Sequence, residues 1–143
     1  IKFSNEDVSD REIWTSLKTV GVDHFVKTLP GDLDYVIGDN DTISQGQKQL
    51  LTIARGMIED APFLILDEAT AAMDTKTEKL IQNALSKLTK NKTTIMIAHR
   101  LSTIQKADRI FYIDQGGIVE QGNHEELMAK KGAYYKLYMA QVV

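Results

Sequence analysis

The sequence contains no cysteine, which excludes disulfide bonds, zinc sites with thiolate ligands and a cysteine nucleophile. It has only two prolines, and no run approaches the roughly 20 apolar residues that a membrane-spanning helix needs. Basic residues are not in excess, because 17 Lys and Arg stand against 20 Asp and Glu, a net charge of −3. This balance argues against a nucleic-acid binder held by phosphate contacts and against a polybasic membrane-surface patch.

What is present fits a single globular unit. Hydrophobic residues make up 43% and charged residues 26% of the chain, which is ordinary for a soluble protein. A length of 143 residues corresponds to one domain or to a piece of a larger one. The sequence begins at Ile1 with neither a Met nor a signal peptide, and we interpret this as the pattern of a fragment.

Hydrophobic spacing predicts a helical first third followed by alternating strands and helices, the pattern of a parallel α/β sheet. The run 63–66 is apolar on both faces, as a central parallel strand is, and the run 93–98 is β-branched and apolar and predicts a second buried strand. Gly116-Gly117 separates two short strands and predicts a hairpin. The predicted helices cover about 9–20, 23–29, 44–59, 75–88, 102–106, 124–130 and the tail from 133, and the predicted strands cover 63–66, 93–98, 109–114 and 118–121. Ser9 with Glu12 and Thr75 with Glu78 have the spacing of capping boxes, and we expect Gly21 to end the first helix.

The segment from Ile43 to Gln47 opens the longest predicted helix. Ser44 is suited to cap this helix, and Gln47 three residues later completes a capping box. The unpaired N–H groups and the dipole of a helix start form a site suited to phosphate, which Gly46 would let approach the backbone closely. A well-capped helix without a ligand explains the same residues, and the residues alone favour that plainer interpretation.

Two carboxylates, Asp67 and Glu68, follow the apolar run 63–66. Ligands of open α/β sheets bind beyond the carboxyl ends of the strands. A carboxylate there is an ordinary ligand of Mg²⁺, often through water, when phosphates complete the shell. A neighbouring carboxylate could orient or deprotonate a water molecule. The alternative is a solvated strand end, where acidic residues are common.

His99 follows the second apolar run, and we expect it at the same edge of the sheet as the two acids. A histidine there can donate a hydrogen bond to a phosphate or fix the attacking water. Taken by itself, a structural histidine at a strand end is the better interpretation. His24 and His124 lie on predicted helices and receive no chemical role.

A phosphate-binding loop of the form G-x-x-x-x-G-K-[ST] does not occur in the sequence. The nearest fragment, from Gly46 to Lys48, lacks the upstream glycine and the hydroxyl residue. Since nucleotide hydrolysis needs such a loop, we expect it upstream of Ile1 or on another chain.

Taken in order, the segments 43–55, 63–74 and 97–100 resemble the nucleotide-binding domain of an ABC transporter. The order and spacing of the motifs is far more specific than any one of them, and the similarity covers essentially the whole chain. The matching parts are the signature motif at Ile43 to Gln47, the Walker B strand at Phe63 to Asp67, the catalytic glutamate at Glu68, the D-loop at Ala71 to Asp74 and the switch histidine at His99.

The resemblance implies an α/β fold, a P-loop NTPase-like parallel sheet with flanking helices that is preceded by a helical subdomain. Residues 1 to about 60 would form this subdomain with the signature motif, and about 61–143 the C-terminal part of the α/β core. The N-terminal ATP-binding part of the domain would be missing from this chain, whose motifs begin just beyond the expected position of the Q-loop. The adenine-stacking aromatic residue and the P-loop belong to that missing part.

The resemblance also implies a mechanism in which two domains pair head to tail, as a homodimer or heterodimer, and enclose two molecules of ATP. Asp67 would help to hold Mg²⁺ through water, and Glu68 would act as general base or position the water. His99 would sense and stabilise the γ-phosphate, and Asp74 would link the two sites. The signature residues that would contact the γ-phosphate of the partner's ATP are Ser44, Gln45, Gly46 and Gln47.

Subfamily features resemble an exporter, whose transmembrane domains would precede this domain and place it at the cytoplasmic face of the cell membrane. The segment Tyr35 to Asp41 is similar to the exporter loop that couples to the partner's membrane domain, although Asp39 and Asp41 differ from its commonest residues. Gln45 replaces the usual glycine of the signature, as in many exporters. The stretch 97–127 also resembles an exporter.

Two alternatives stay open at this point. One is the C-terminal lobe of the head domain of a chromosome-maintenance or DNA-repair ATPase, which the absence of heptads argues against. The other is a non-hydrolysing interaction fragment. We expect the complete protein to be an ATPase and this chain alone to be inactive, because it has no P-loop. We also expect an oligomer or a larger assembly, since part of the sheet would be uncovered.

Overall fold

The computed structural model describes residues 7–38, 42–67, 74–98 and 101–142, and for Val142 only the backbone. It confirms the mixed α/β class, with a small parallel sheet and flanking helices. In chain order the elements are α1 (Asp10–Val20), α2 (Asp23–Val26), a 3₁₀ turn (Asp32–Asp34), α3 (Gln45–Glu59), β1 (Phe63–Asp67), α4 (Thr75–Leu88), β2 (Thr93–Ile97), α5 (Leu101–Ile104), β3 (Ile110–Asp114), β4 (Gly117–Gly122), α6 (His124–Lys130) and α7 (Ala133–Val142).

Helix α1 begins and ends at the residues that the sequence predicts. The Ser9 hydroxyl accepts a hydrogen bond from the Glu12 backbone N–H, and the Glu12 carboxylate accepts one from the Ser9 N–H, which forms a capping box. Gly21 ends the helix in the left-handed conformation with φ 83°, which a glycine adopts without strain. These caps leave a helix whose buried face carries Ile13 and Leu17.

Contacts divide the chain into two compact units, Ile1–Ile95 and Met96–Val143. In the first unit α3 packs against α1 and α4, and the buried Ser16 hydroxyl donates to the Ala54 carbonyl at 2.7 Å. One core contains side chains of these three helices, of α2 and of residues beside α1: Val8, Ile13, Leu17, Val20, Val22, Val26, Leu50, Ile53, Ala54, Ile81, Ala84, Leu85 and Leu88. The domain boundary predicted near residue 60 stays a prediction.

Strands β1 and β2 are neighbours in a two-stranded sheet, but they are not buried on both faces as predicted. Leu64 and Leu66 of β1 pack against the helical core. The alternate side chains point to the opposite face, where Ile65 is 69% exposed and Ile95 and Ile97 are each 54% exposed. The apolar pattern of both strands is therefore a correct indication of strand structure and a wrong indication of burial within this chain.

The second unit contains the predicted hairpin. β3 and β4 pair antiparallel, with Ile110 opposite Gly122 and a bulge between Tyr112 and Ile113. Gln115 and Gly116 form the turn with φ 47° and 79°, so the turn lies one residue before the predicted Gly116-Gly117. The small core of this unit contains Ile110 of β3, Leu127 of α6 and Tyr134 of α7.

Two short helices and the cap of one longer helix differ from the prediction, besides shifts of one residue at the ends of the strands. Helix α2 ends at Val26 rather than near residue 29, and α5 covers Leu101–Ile104 rather than 102–106. Helix α4 is capped by Asp74 rather than Thr75, because the aspartate carboxylate accepts from the Lys76 and Thr77 N–H groups. Among the helices that the structure describes, none has the length and apolar composition that crossing a membrane requires.

Candidate functional site

The first part of the candidate site is the N-terminus of α3. The Ser44 hydroxyl accepts from the Gln47 backbone N–H at 3.1 Å, and the Gln47 side-chain oxygen accepts from the Ser44 N–H at 3.0 Å. The capping box predicted from Ser44 and Gln47 is therefore confirmed. It fixes the direction in which this helix of 15 residues begins.

The capping box leaves two backbone N–H groups at this helix start without a hydrogen-bond partner among the described residues. The first four N–H groups of an α-helix have no partner within the helix, and those of Gln45 and Gly46 make no hydrogen bond in the part of the chain that the structure describes. Ser44 and Gln45 are exposed, and Gly46 is buried. The helix start thus lies at the surface rather than inside the core, and its remaining donors and dipole suit a phosphate group.

The second part is Asp67, the last residue of β1. Its side chain is exposed, while Leu66 before it packs against the helical core and so fixes the strand end. Within the described ranges, no group of three or more His, Asp and Glu residues could hold a metal ion by itself. Asp67 still fits Mg²⁺ bound together with phosphates, since such sites use one or two carboxylates and several waters.

The third part is Asp74, whose structural role the sequence interpretation missed. Its carboxylate accepts from the backbone N–H groups of Lys76 and Thr77, both at 3.0 Å. Hydrogen bonds from the Thr77 side chain and backbone, and then from Lys76, hold the pKa of Asp74 below its ordinary value. Asp74 is therefore a charged N-cap, and its negative charge interacts favourably with the helix dipole of α4. The signal was available in the sequence, because Asp is as good an N-cap as Ser.

Several predicted positions lie outside the described residues. These are Glu68, His99 and most of the predicted D-loop, together with Asp39 and Asp41 of the predicted exporter loop. The preceding part of that loop is described, and its Val36 is 86% exposed. The structure thus places Ser44 to Gln47, Asp67 and Asp74 in the first compact unit.

A groove beside the exporter-like loop was not predicted. The residues that line it include Val26 of α2, Leu33 of the 3₁₀ turn and Leu51 of α3, together with the charged side chains of Asp32, Lys48 and Arg55. The groove is open to solvent and adjoins the first turn of α3. Its residues come from three segments, so no local motif in the sequence could have revealed it.

A capped helix start with free donors and an acidic strand end are the features of an α/β domain that binds phosphate groups. Comparison with known proteins identifies a family of such domains. The family model described as "ABC transporter" matches residues 2–71, a range that contains Ser44 to Gln47, Asp67 and Glu68. Asp74 and His99 lie beyond the matched range.

Several bacterial proteins named ATP-dependent lipid A-core flippase are similar to this chain. The protein of Chromobacterium violaceum is 48% identical over 142 residues, which cover 99% of this chain and 24% of the relative. That of Haemophilus ducreyi is 57% identical over 118 residues, covering 82% and 20%. That of Vibrio parahaemolyticus is 48% identical over 143 residues, covering 99% and 25%. The chain spans about a quarter of the length of these curated relatives.

The chain belongs to the ABC transporter family and corresponds to a C-terminal portion of an exporter-type nucleotide-binding domain. The resemblance stated from the motifs is thereby confirmed. The alternative of a chromosome-maintenance or DNA-repair ATPase is not favoured by these relatives.

Proposed function

We propose that this chain provides the signature helix and the Walker B strand of an ABC exporter in which ATP hydrolysis drives export across the cell membrane. The observation that carries the proposal is the N-terminus of α3. There the motif residues Ser44 and Gln47 cap each other, Ser44 and Gln45 are exposed, and the N–H groups of Gln45 and of the buried Gly46 have no hydrogen-bond partner among the described residues. Two such donors at the positive end of a helix suit the γ-phosphate of ATP.

In the proposed site, the nucleotide that meets α3 is held by the P-loop of a second nucleotide-binding domain. The two domains pair head to tail, as a homodimer or as a heterodimer. Gln45 replaces the usual glycine but keeps the backbone N–H, and this group is the hydrogen-bond donor that the site would use. The proposed partners also include the transmembrane domains, with Tyr35 and Val36 in the contact region; this places the domain at the cytoplasmic face of the membrane.

The proposed catalytic residues follow the end of β1 and of β2. Asp67 would bind Mg²⁺ through water, where the ion would neutralise charge on the phosphates. Glu68 would accept a proton from the attacking water or orient it, and His99 would donate a hydrogen bond to the γ-phosphate. Asp74, which caps α4, would connect the two sites of the dimer. Each of these roles is mostly positioning and electrostatic, as phosphoryl transfer requires.

The proposed substrate is lipid A-core. The support is that relatives 48% identical over nearly the whole chain are named ATP-dependent lipid A-core flippase. The chain itself contains no part that would read the lipid, so the proposal concerns the complete transporter.

The test is a Glu68→Gln substitution in the complete transporter that carries this chain. Removing the carboxylate removes the general base, so we expect steady-state turnover to fall about 100-fold or more, with ATP binding nearly unchanged. The measurement is phosphate release beside nucleotide binding. Glu125→Gln is the matched control, because Glu125 is exposed on α6, and it should leave turnover unchanged. Unchanged turnover in Glu68→Gln would refute the catalytic assignment.

Two further outcomes test the proposal at the level of the whole protein. The complete transporter in lipid vesicles should move labelled lipid A-core across the bilayer only with ATP, and Glu68→Gln should abolish the movement. The 143-residue chain alone should show no turnover, since it lacks a P-loop. Stoichiometric hydrolysis by the purified chain, with contaminants excluded, would contradict the latter expectation.

A further inference from the structure

The feature that carries a further inference is a buried hydrogen bond between α1 and α3. Ser16 of α1 is only 7% exposed, and its hydroxyl donates to the Ala54 carbonyl of α3 at 2.7 Å. Because Ala54 is itself fully buried, this bond lies inside the core of the first compact unit. The structure describes both residues and the whole of the chain that joins Ala54 to Ser44.

The Ser16 hydroxyl differs from the other hydroxyl groups of α1 in its partner. Those of Thr15 and Thr19 each donate at 2.8 Å to a carbonyl of the same helix, four residues earlier. This is the usual contact of such side chains inside a helix. The Ser16 hydroxyl instead crosses to a second helix, so it is the one of the three that joins two elements of the fold.

This bond favours one position of α3 along α1. Side chains of both helices share one core, but the burial of apolar surface is non-directional. A hydrogen bond, by contrast, weakens steeply when its distance or its angle changes. Helix α1 is a fixed reference for this bond, since a capping box holds its start and Gly21 ends it. A shift of α3 along its axis would therefore break the bond.

We propose that Ser16 is a positioning residue that, through the Ala54 carbonyl, sets the place of α3 and thereby of the N–H groups at its start. The inference rests on the proposed function, in which these N–H groups contact the γ-phosphate. Ala54 lies ten residues after Ser44, about 15 Å along the axis at a rise of about 1.5 Å per residue. Because α3 is continuous from Gln45 to Glu59, a shift at Ala54 moves the helix start with it.

The test is Ser16→Ala in the complete transporter, with ATP turnover as the first measurement. Alanine favours the helix and removes only the hydroxyl, while the Ala54 carbonyl keeps its bond within α3. We expect kcat to fall about two- to tenfold, the factor that corresponds to the loss of one net hydrogen bond. KM for ATP should stay unchanged, since the P-loop that binds ATP is not touched. Thr15→Val is the matched control and should leave kcat unchanged, because the hydroxyl that it removes bonds to the same helix.

A double substitution with Ser44 shows whether the effect passes along α3. Substitutions about 15 Å apart normally act independently, so a merely structural role of Ser16 would lower kcat by the same factor in any background. Ser44→Asp places a negative charge at the phosphate contact, and in this background Ser16→Ala should have no further effect on kcat. An equal loss in both backgrounds would overturn the inference. Rates are compared well below the lowest Tm of the variants, so that unfolding does not contribute.

Comparison with Ser44→Asn, which keeps a cap without adding a charge, separates a failure here from a failure of the proposed function. If Ser44→Asp turns over far more slowly than Ser44→Asn while Ser16→Ala leaves kcat unchanged, the positioning role is wrong and the proposed function stands. If the two Ser44 variants turn over equally, the proposed phosphate contact is wrong and this inference falls with it. A loss of kcat in Thr15→Val as large as that in Ser16→Ala would also overturn the inference.

Discussion

Asp74 and Glu120 accept hydrogen bonds from backbone N–H groups at helix starts by different routes. Asp74 caps the helix that follows it directly, whereas Glu120 reaches from β4 to the start of α7, thirteen residues further along. The Glu120 carboxylate accepts from Ala133 N–H at 2.7 Å and from Tyr134 N–H at 3.1 Å. The Asp74 carboxylate therefore stabilises the start of α4, and the Glu120 carboxylate stabilises the start of α7.

The first prediction concerns the pH dependence that Glu120 brings. The hydrogen bonds from the Tyr134 and Ala133 N–H groups, and the nearby Lys130 and Lys136, hold the pKa of Glu120 below its ordinary value of 4.5. A carboxylate with a lowered folded-state pKa contributes stability above its unfolded-state pKa and loses it as pH falls through the folded-state pKa. Glu120→Gln should therefore lower Tm at pH 7, and the difference from the unchanged chain should shrink as pH falls below about 4.5.

Thermal unfolding followed by circular dichroism over a pH series measures this difference. Glu125→Gln is the control, because Glu125 makes no hydrogen bond in the described segments, and it should give no such trend. A Tm difference for Glu120→Gln that stays constant down to about pH 3 would show that the charge of Glu120 does not act on α7.

The sequence predicts the structural role of a residue best when its hydrogen-bond partner is close to it in the chain. Ser9 and Ser44 were found because each capping partner lies three residues away. Glu120 could not be found, because its partners are joined to it only by the packing of α7 against β4. Asp74 was missed for a different reason: Thr75 offered a competing cap one residue later, and spacing alone does not rank the two.

At the scale of elements, a glycine allows α6, α7 and β4 to pack. A Cβ atom at Gly132 would overlap the Glu120 carboxylate, so only a residue without a side chain leaves Glu120 in place. The turn between α6 and α7 also uses Lys131 in the left-handed conformation, with φ 52°. The start of α7 is thus determined by backbone space as well as by hydrogen bonds.

The second prediction follows from this packing. Gly132→Ala should lower the free energy of unfolding and the Tm, since the Glu120 carboxylate must move away from the two α7 N–H groups from which it accepts hydrogen bonds. Gly117→Ala is the control, because a Cβ atom there meets nothing within 4 Å. Urea unfolding compares the two variants. Equal stabilities would contradict the close approach of Gly132 and Glu120.

The elements were predicted well where periodicity is strong and less well where it is short. α3, α4, α6 and the hairpin strands lie within one or two residues of their predicted bounds, because their apolar spacing extends over several turns or pairs. The ends of α2 and α5 were wrong, since each has only four residues and depends on contacts from elsewhere. Periodicity contains no information on such contacts.

At the scale of the whole molecule, large apolar side chains remain exposed on the strands. Besides Ile65, Ile95 and Ile97 on β1 and β2, the hairpin exposes Ile113 to 67% and Ile118 to 60%. Exposed apolar surface of this kind marks contact with another chain or segment. The sequence predicted the strands, but it could not show which of their faces the chain itself covers.

The third prediction is that the purified 143-residue chain associates with itself as its concentration rises. Ile65→Lys should weaken the association without loss of folding, because Ile65 is 69% exposed and a charge on a strand surface opposes pairing. Val36→Lys is the control for a position that is 86% exposed but off the sheet. Sedimentation velocity measures the association, and a monomer at all concentrations would contradict this expectation.

In the proposed site, the start of α3 meets the phosphates of ATP held by a second domain. Asp and Asn cap helices about as well as Ser, so Ser44→Asp and Ser44→Asn should both keep the stability of the complete transporter. They differ in charge, and a carboxylate about 4 Å from a phosphate is repelled by roughly 4 kcal/mol at an effective dielectric constant near 20.

The most direct measurement is therefore ATP turnover of the complete transporter with each substitution at Ser44. We expect Ser44→Asp to lower turnover by about 100-fold or more, while Ser44→Asn keeps most of it and Tm is alike in the two variants. Equal turnover in Ser44→Asp and Ser44→Asn would show that no phosphate approaches the start of α3, and the proposed site would be wrong.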